Sequence, residues 1–531
     1  MKKFENLSAL IECASGVTPT VDSVKRYIDL LSEMGYNKLY LGMADSYKIE
    51  GEPYFDYKRG GYSVEMLKEM DSHAKEKGIE LVAQIHVLSH LHFMRKYPAY
   101  WDYFDTDNVL MVGDDRVYAL IDRMLKTISE GLSTRRIHLG VDEAFGIGTG
   151  DFFKKHGYAD RKELIIRHLK RVFPMLEKYG LIPEIWGDMF IDKEPSIVKA
   201  EEIRAIMPND SLVYAWDYIE KDEEKIAAII DEMKPNGKKI GFAGGVWKYI
   251  SFGPNNGYSI DRIIPQMKVC HEKGIGDYMV TLWSDNCAPC SFYAALPSLF
   301  VAAEYNCGAY DGKDEKSLDK AKFKRITGVG YDELYSLEYI DDPFKINSRN
   351  RSSSSLWVLY TDLLLGNFDL FVPAHAEEKY LELAKEYSSL ANGKYAHVFK
   401  MSASLMQTLA VKAKLPTDIR EAYLNGDKAK LKDCIIRIER LKSALIDFGK
   451  VFAEYFLHDN MPFGLEVRQL YDGGQIARCD YAIARINAYI EKDEKIGELD
   501  GGVVPINYYP PLTPDNSCMN DYRMLISYCI K

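Results

Sequence analysis

The sequence predicts an α/β fold in which a (β/α)8 TIM barrel is followed by an all-helical C-terminal domain. Three observations support this prediction. Eight short apolar, β-rich runs occur before about residue 310, amphipathic helical patterns separate them, and strand patterns cease near residue 313. Buried parallel strands are typically continuous apolar runs that alternate with helices. We therefore expect a barrel domain over residues 1–312 and a helical domain over residues 313–531.

The number of predicted strands matches that of a closed barrel. A doubly wound sheet is the alternative. It would usually have fewer strands and a glycine-rich phosphate loop after the first strand, and residues 12–19 do not resemble such a loop. The strands are expected at residues 7–13, 38–43, 80–86, 136–141, 181–187, 211–216, 240–246 and 278–283.

The segments between these strands have the periodicity of amphipathic helices. Residues 20–35 form the first such pattern, and Gly35 is its C-terminal stop signal. Residues 64–78 and 159–180 repeat the scheme. The apolar face of the first pattern consists of Val24, Tyr27, Ile28, Leu31 and Met34.

Long helical patterns fill the chain after residue 313 and predict a domain of roughly 200 residues. This domain could complete a pocket, mediate dimerisation or cover the barrel. Residues 458–478 are rich in polar residues and glycine, so they are a candidate contributor to the site or to an interface. The proline-rich residues 503–516 are expected to be extended. Helices are expected at residues 352–366, 376–391, 395–414, 430–459 and 473–493.

Composition narrows the classes of partner. The net charge is −11 and there is no dense run of Lys or Arg, which argues against nucleic acid and anionic membranes as partners. We find neither a signal-peptide core at the N terminus nor an apolar run of 18 residues. Nine scattered cysteines, with only the pair Cys287 and Cys290 in CxxC spacing, indicate free thiols. We therefore expect a cytoplasmic protein with no metal and no cofactor.

Tryptophans and carboxylates follow the last five predicted strands, at the end where barrel enzymes carry their active sites. An indole ring can stack on the apolar face of a pyranose while carboxylates bind its hydroxyl groups. The pattern therefore predicts a site for a sugar, carried by a small oligosaccharide or glycoconjugate. Its candidate residues are Asp142 and Glu143 after strand four, Trp186 and Asp188 after strand five, Trp216 and Tyr218 after strand six, Trp247 after strand seven, and Trp283 and Asp285 after strand eight.

Asp142 and Glu143 are the predicted catalytic pair. An isolated acidic dipeptide could instead cap the next helix, but its position among these aromatic residues favours catalysis. Glycoside cleavage needs a protonated acid and a nearby negative charge or nucleophile, and neighbouring carboxylates push their pKa values apart. Two consecutive residues are poorly placed to flank a sugar from opposite faces. This favours a mechanism in which the 2-acetamido oxygen of the substrate is the nucleophile.

Residues 137–144 resemble the H-x-G-x-D-E motif of glycoside hydrolase family 20, the β-N-acetylhexosaminidases. The helical remainder resembles the C-terminal domain of a compact subgroup that lacks the usual N-terminal domain of this family. Together the matching segments cover nearly all of residues 7–310. The similarity extends through residues 20–41, 54–63, 84–91, 186–190, 242–248 and 281–285.

This resemblance implies an exo-acting, retaining β-N-acetylhexosaminidase acting on terminal β-linked N-acetylglucosamine, N-acetylgalactosamine or a substituted form. Glu143 would be the general acid and base, and Asp142 would orient the acetamido group. His90 would support the acidic pair, and Tyr218 would bind the acetamido group. The resemblance implies sugar contacts for Trp186, Trp216, Trp247, Trp283 and Asp285, and Asp188 completes the predicted set.

The sequence departs from the family pattern at the first strand, where an arginine would grip the hydroxyls at sugar positions 3 and 4. Ser15 takes the place of this arginine, and His86 takes that of an acidic residue before His90. We expect an altered specificity, with Arg59 or Lys248 as the replacement cation. A catalytically silent sugar-binding protein and a glycosidase for sugars without an acetamido group are the alternatives. A homodimer is a further candidate arrangement.

Overall fold

The computed structural model describes residues 2–191, 198–249, 251–285, 289–343, 354–366, 369, 372–501 and 503. Within them the chain forms the strands β1 (Asn6–Glu12), β2 (Lys38–Gly42), β3 (Glu80–Gln84), β4 (Arg136–His138), β5 (Ile182–Trp186), β6 (Leu212–Trp216), β7 (Lys239–Gly245) and β8 (Asp277–Leu282). Each strand pairs in parallel with the next, and β8 pairs with β1, so the barrel is closed. The predicted (β/α)8 fold is confirmed.

The predicted strands coincide with the observed ones to within one or two residues at most ends. Strand four differs more, because it was expected to reach residue 141 and β4 ends at His138. Gly140 and Val141 have φ values of 71° and 75°, so the backbone turns into the left-handed region and cannot continue a ladder. This early end of β4 creates the loop that carries the predicted catalytic pair.

Apolar side chains from seven strands fill the barrel, and this interior cluster forms the floor of the predicted site. Trp216 and Trp283 are only partly buried and pack against the cluster at its edge. The cluster consists of Leu10, Tyr40, Val82, Trp186, Leu212, Tyr214, Ala243 and Met279.

One buried carboxylate, that of Glu184 on β5, lies within the barrel. Tyr40 Oη donates to Glu184 Oε2 at 2.7 Å, and Arg136 Nη1 lies 3.1 Å from Glu184 Oε1. The hydroxyl of Tyr214 lies 3.1 Å from that of Tyr40. A carboxylate without these partners would be costly to bury. The network ties β2, β4, β5 and β6 together.

Helices alternate with the strands and then replace them. Thr20 caps the first helix by accepting from the Ser23 N–H, and Gly35 ends it in the left-handed conformation. The helices are α1 (Val21–Met34), α2 (Val64–Glu76), α3 (Asp115–Gly131), α4 (Asp151–His156), α5 (Arg161–Tyr179), α6 (Ala200–Ile206), α7 (Glu223–Met233), α8 (Asn256–Glu272), α9 (Leu296–Cys307), α10 (Lys320–Thr327), α11 (Tyr331–Tyr335), α12 (Ser354–Tyr360), α13 (Ala376–Leu390), α14 (Ala396–Lys412), α15 (Leu415–Leu424), α16 (Lys428–Asp459) and α17 (Leu465–Lys492).

The C-terminal region is helical, as predicted, and α14 packs against both α13 and α16. Two predicted bounds are wrong. The helix expected over residues 352–366 ends at Tyr360, because Asp362 Oδ1 accepts from the Leu364 N–H and forms a turn instead. The helix expected from residue 473 begins at Leu465, after Gly464 in the left-handed conformation. Most of the polar segment 458–478 is therefore helical.

The chain divides into two compact units. The first comprises residues 1–246, 259–283 and 298–319, and the second comprises residues 247–258, 284–297 and 320–531. Each unit is a set of segments that pack together but are not continuous in the chain. The predicted boundary between residues 312 and 313 therefore stays a prediction.

Within the second unit, Asp341 anchors the segment that follows β7. Its carboxylate accepts from Ser251 Oγ at 2.8 Å and from the Gly253 N–H at 3.0 Å. Among the described residues, no helix combines the length and the apolar character needed to cross a membrane. Apart from Val503, the tail expected to be extended over residues 503–516 lies outside the described residues, as does Cys287.

Candidate active site

The loop after β4 has an unusual backbone. Gly140, Val141 and Glu143 all have positive φ values, of 71°, 75° and 48°. Such values are costly for residues with a side chain and persist only where the surroundings enforce them. At Gly140 a Cβ atom would lie 2.7 Å from His86 Nδ1, so a larger residue does not fit. This conformation presents Asp142 and Glu143 at the carboxyl end of the barrel.

Two histidines and a serine surround Asp142. His90 Nε2 lies 3.2 Å from Asp142 Oδ2 and 3.6 Å from Glu143 Oε2. His86 Nδ1 lies 3.8 Å from Asp142 Oδ1, which is too far for a hydrogen bond. Ser89 Oγ donates to the backbone carbonyl of Asp142. The structure therefore brings His90 and the acidic pair together, as the sequence predicted.

The two carboxylates have opposite electrostatic environments. Burial favours the neutral form of Asp142, but the hydrogen bond and charge of His90 outweigh it and lower the pKa of Asp142 below its usual value. Partial burial, and then the charge of Asp142, raises the pKa of Glu143. The hydrogen bond and charge of Asp142 also raise the pKa of His90 to about 9 against the effect of burial. Asp142 is thus held ionised, and Glu143 is favoured as the proton donor.

Asp188 connects the acidic loop to the aromatic residues. Its Oδ2 accepts from the backbone N–H of Glu143 at 2.9 Å, and its Oδ1 accepts from Trp216 Nε1 at 3.3 Å. Burial, and then the charge of Asp142, raises the pKa of Asp188 to about 6. Asp188 thus lies beside the acidic pair, and its hydrogen bonds are to the Glu143 backbone and the Trp216 ring. Its predicted contact with the sugar stays a prediction.

Three aromatic side chains form a connected wall. Trp216 and Tyr218 are stacked, with ring centroids 5.3 Å apart and planes inclined by 23°. Trp283 Nε1 donates to Tyr218 Oη at 2.9 Å. All three are partly exposed, as residues that contact a ligand must be. The geometry of this group agrees with a sugar-binding surface.

Trp186 lies deeper than these three. Its side chain is only 1% exposed, and its ring centroid is 4.4 Å from that of His138 and 6.1 Å from that of Trp283. Burial lowers the pKa of His138 to about 3, so this ring is neutral. Trp186 therefore occupies the barrel interior, and its predicted contact with substrate stays a prediction.

Trp247 and Asp285 belong to the second compact unit. Trp247 is buried against Tyr249 and Tyr258, at centroid distances of 4.6 and 5.3 Å. Asp285 is exposed. Their predicted roles in sugar binding stay predictions.

Sequence reasoning missed the contacts made by Ser89 and Asp188. Ser89 stands directly before His90, but a serine in a loop carries no pattern that would reveal its bond to the Asp142 carbonyl. Asp188 was found as a candidate from its place after β5. Its role as an acceptor for Glu143 and Trp216 depends on the turn after β4, which only the structure shows.

Family models match both parts of the chain. Residues 18–233 match the model described as glycosyl hydrolase family 20, catalytic domain, and residues 332–518 match the model described as glycoside hydrolase 20C C-terminal domain. The chain belongs to glycoside hydrolase family 20. The resemblance inferred from the H-x-G-x-D-E motif is confirmed, including the family-specific helical domain.

Individual relatives of this family 20 chain are distant. It is 28% identical to Beta-hexosaminidase 3 of Arabidopsis thaliana over 150 residues, which is 27% of this chain and 28% of that protein. A family 20 exo-β-N-acetylglucosaminidase from Vibrio harveyi has 17% identity and a TM-score of 0.48, over 64% of this chain and 58% of that one. A chitobiase from Flavobacterium johnsoniae has 15% identity and a TM-score of 0.48, over 94% of this chain and 74% of that one.

The structure shows the partners of Ser15, which stands where this family usually has an arginine, and of the two cations predicted to replace that arginine. Ser15, in place of the arginine, donates to Glu12 Oε1 at 2.6 Å. Arg59 Nε lies 2.5 Å from Oδ2 of the buried Asp45. Lys248, in the second unit, donates to Ser284 Oγ at 3.1 Å. The replacement of the missing arginine by Arg59 or Lys248 stays a prediction.

Proposed function

We propose that this family 20 protein is an exo-acting, retaining β-N-acetylhexosaminidase that uses the 2-acetamido group of its substrate as the nucleophile. The observation that carries the proposal is the electrostatic difference between Asp142 and Glu143. Their surroundings lower the pKa of Asp142 and raise that of Glu143, so Asp142 favours the charged form and Glu143 holds a proton more readily, as a charged partner and an acid require. Substrate-assisted catalysis is a known exception to the use of two flanking carboxylates.

In the first step, protonated Glu143 donates its proton to the glycosidic oxygen as the bond from this oxygen to the anomeric carbon breaks. The carbonyl oxygen of the acetamido group forms a new bond to the anomeric carbon, and the alcohol leaves. The resulting oxazolinium ion carries a positive charge, which the carboxylate of Asp142 stabilises while it accepts from the acetamido N–H.

In the second step, Glu143 accepts a proton from water as the water oxygen attacks the anomeric carbon and the acetamido oxygen departs. The two displacements restore the β configuration, and Glu143 ends protonated as it began. Asp142 Oδ1 supports this assignment, because it is buried and has no hydrogen-bond partner among the described residues. A buried acceptor of this kind is suited to an N–H of the substrate.

The test uses 4-nitrophenyl β-N-acetylglucosaminide and β-N-acetylgalactosaminide with the wild type, Glu143→Gln and Asp142→Asn. Glu143→Gln should lower kcat by about 10²–10⁴-fold, the usual contribution of proton transfer by a positioned group. Asp142→Asn should lower kcat by about 10²–10³-fold, because it removes the charge that stabilises the oxazolinium ion. With Glu143→Ala, azide should restore turnover and yield a β-glycosyl azide. The control is Glu130→Gln, because Glu130 and Glu143 have similarly exposed side chains, 48% and 45%.

A series of substrates with fluorinated acetamido groups tests the nucleophile. The rate should fall as fluorine withdraws electrons from the amide oxygen. Equal rates, or equal activity on an aryl β-glucoside, would favour the glycosidase for sugars without an acetamido group. Sugar binding without turnover on any of these substrates would favour the silent binding protein.

The cellular setting and assembly are part of the same proposal. A reducing compartment such as the cytoplasm is supported by Cys13, Cys270, Cys290, Cys307, Cys434 and Cys479, which are free thiols. Short imported oligosaccharides would then be the substrates. Fractionation of cells and light scattering of the purified chain test the location and the proposed homodimer.

A further inference from the structure

A compact group of ligand-type side chains lies in the second unit. His397 is near the start of α14, and His458 and Asp459 are the last two residues of α16. The nearest nitrogen of each histidine and a carboxylate oxygen all lie within 4.8 Å of one another. Sixty-two residues separate His397 from Asp459 in the chain, so no short metal motif marks the group in the sequence.

The three side chains converge on one carboxylate. His397 Nε2 lies 3.1 Å from Asp459 Oδ2, and His458 Nδ1 lies 3.0 Å from Asp459 Oδ1. The two imidazole rings are stacked, with centroids 3.7 Å apart and planes inclined by 16°. The two imidazole rings and the carboxylate are thus brought together from the ends of two different helices.

The electrostatics of this arrangement favour a cation between the three groups. Each imidazole can present a ring nitrogen with a lone pair to a cation. The carboxylate of Asp459 lies within hydrogen-bond distance of both histidines, so a cation bound here would meet two nitrogens and one oxygen.

We propose that His397, His458 and Asp459 form a binding site for a divalent transition-metal ion of the zinc type. Imidazole and carboxylate are ligands that suit zinc, cobalt and nickel. With metal–ligand bonds of about 2.0–2.2 Å, ligand atoms at the corners of a tetrahedron lie roughly 3.4 Å apart. The nitrogen–oxygen distances of 3.1 and 3.0 Å are close to that spacing.

Surrounding residues complete the site in the way that metal sites require. Tyr293 Oη donates to Asp459 Oδ1 at 3.3 Å and orients the carboxylate. The ring of Tyr455 is stacked against His397 at a centroid distance of 6.1 Å. The side chain of Asp459 is only 7% exposed, whereas that of His458 is 45% exposed. Water can therefore supply the remaining ligand on the side of His458.

The role of the ion is structural. It joins the first turn of α14 to the last turn of α16 and so fixes both helices to the segment that contains Tyr293. An ion that binds the folded chain and not the unfolded one raises stability by mass action.

The experiment uses the full chain, stripped with a chelator and dialysed. Zinc chloride should bind with a stoichiometry of one at this site, measured by calorimetry and elemental analysis, and should raise Tm. Cobalt should produce the visible absorption of a four-coordinate ion. His458→Gln should weaken zinc affinity by at least about tenfold, since it removes a ligand and leaves the buried groups in place.

Matched variants distinguish a metal site from a cluster of side chains that only form hydrogen bonds with one another. His458→Cys restores a zinc ligand and should recover the zinc affinity. If the three side chains are held together only by hydrogen bonds, the thiol should not raise the zinc affinity. His375→Gln, at an exposed histidine of the same unit, and His90→Gln, in the active site, should each leave this binding event unchanged. The proposal is overturned if the stripped chain binds no zinc. It is also overturned if His458→Gln and His397→Gln bind zinc as tightly as the wild type.

Discussion

The backbone N–H of Glu143 donates to the side chain of Asp188 at 2.9 Å, and this bond connects the loop after β4 to the end of β5. Glu143 has a φ of 48°, a conformation that needs support from its surroundings. The second oxygen of Asp188 accepts from Trp216 Nε1. One carboxylate thus positions both the proposed proton donor, Glu143, and one wall of the proposed sugar site, Trp216.

Asp188→Ala should therefore lower kcat by about 10–100-fold while the fold persists. Loss of the acceptor frees Glu143 and Trp216, and small misplacements of a reacting group are costly. Steady-state kinetics on the aryl glycosides check the change, and circular dichroism checks the fold. Asp151→Asn, at a carboxylate outside the site, is the control. A kcat equal to that of the wild type would show that Asp188 does not position Glu143.

The pH dependence of kcat/KM should be bell-shaped. Asp142 must be ionised, so the rate falls as pH drops through its lowered pKa. Glu143 must be protonated, so the rate falls as pH rises through its raised pKa. His90 lowers the pKa of both carboxylates, so His90→Gln should move both limbs to higher pH.

The control for this profile is His271→Gln, because His271 is exposed and remote in sequence from the acidic pair. Its limbs should coincide with those of the wild type. If the limbs of His90→Gln stay in place, or move to lower pH, the charge of His90 does not act on Asp142.

Tyr218→Phe should lower kcat/KM by about tenfold or more. The substitution keeps the stack on Trp216 but removes the acceptor 2.9 Å from Trp283 Nε1. Loss of one hydrogen bond of this kind costs about 1 kcal/mol, and the predicted bond to the acetamido group would be lost as well. Kinetics and intrinsic tryptophan fluorescence are the measurements. Tyr158→Phe, at a residue that is 83% exposed, should change neither of them.

Gly140→Ala should destabilise the protein by about 2–4 kcal/mol and abolish most activity. The new methyl group would be 2.7 Å from His86 Nδ1 and 3.1 Å from the Ile85 carbonyl, in addition to the strain of a φ of 71°. Gly180→Ala isolates the strain, because Gly180 has a φ of 66° and no atom within 4 Å of its added Cβ. Denaturant unfolding of both variants gives the two free energies. Equal losses would mean that the contact with His86 is harmless.

Much of the fold could be predicted because a barrel strand is apolar on both faces. Residues 38–43, 211–216 and 278–283 are mostly apolar runs, and each corresponds to an observed strand. Strand four was overextended, because Leu139 and Val141 are as apolar as strand residues. The strand ends before these residues because Gly140 and Val141 have positive φ values. Nothing in the sequence indicates such a value at Val141.

The acidic pair could be predicted from its position after strand four, and His90 from the resemblance of its segment to the family pattern. The hydrogen bonds of Asp188 could not, since they depend on how one loop turns toward another. The metal-type group at His397 and Asp459 was missed for a similar reason. Its members come from the ends of two helices far apart in sequence, and periodicity describes only one helix at a time.

The carboxylate of Glu184 also governs which strand alignments the barrel tolerates. Side chains alternate between the two faces of a strand, so a slip of β5 by one residue would turn Glu184 outward and leave Tyr40 and Arg136 without their acceptor. A slip by two residues would keep the carboxylate inside but carry it away from both partners. A purely apolar interior would accept several such misalignments during folding. The bonds of Glu184 favour a single alignment, and this alignment also places Trp186 in the barrel interior and Asp188 just beyond the end of β5.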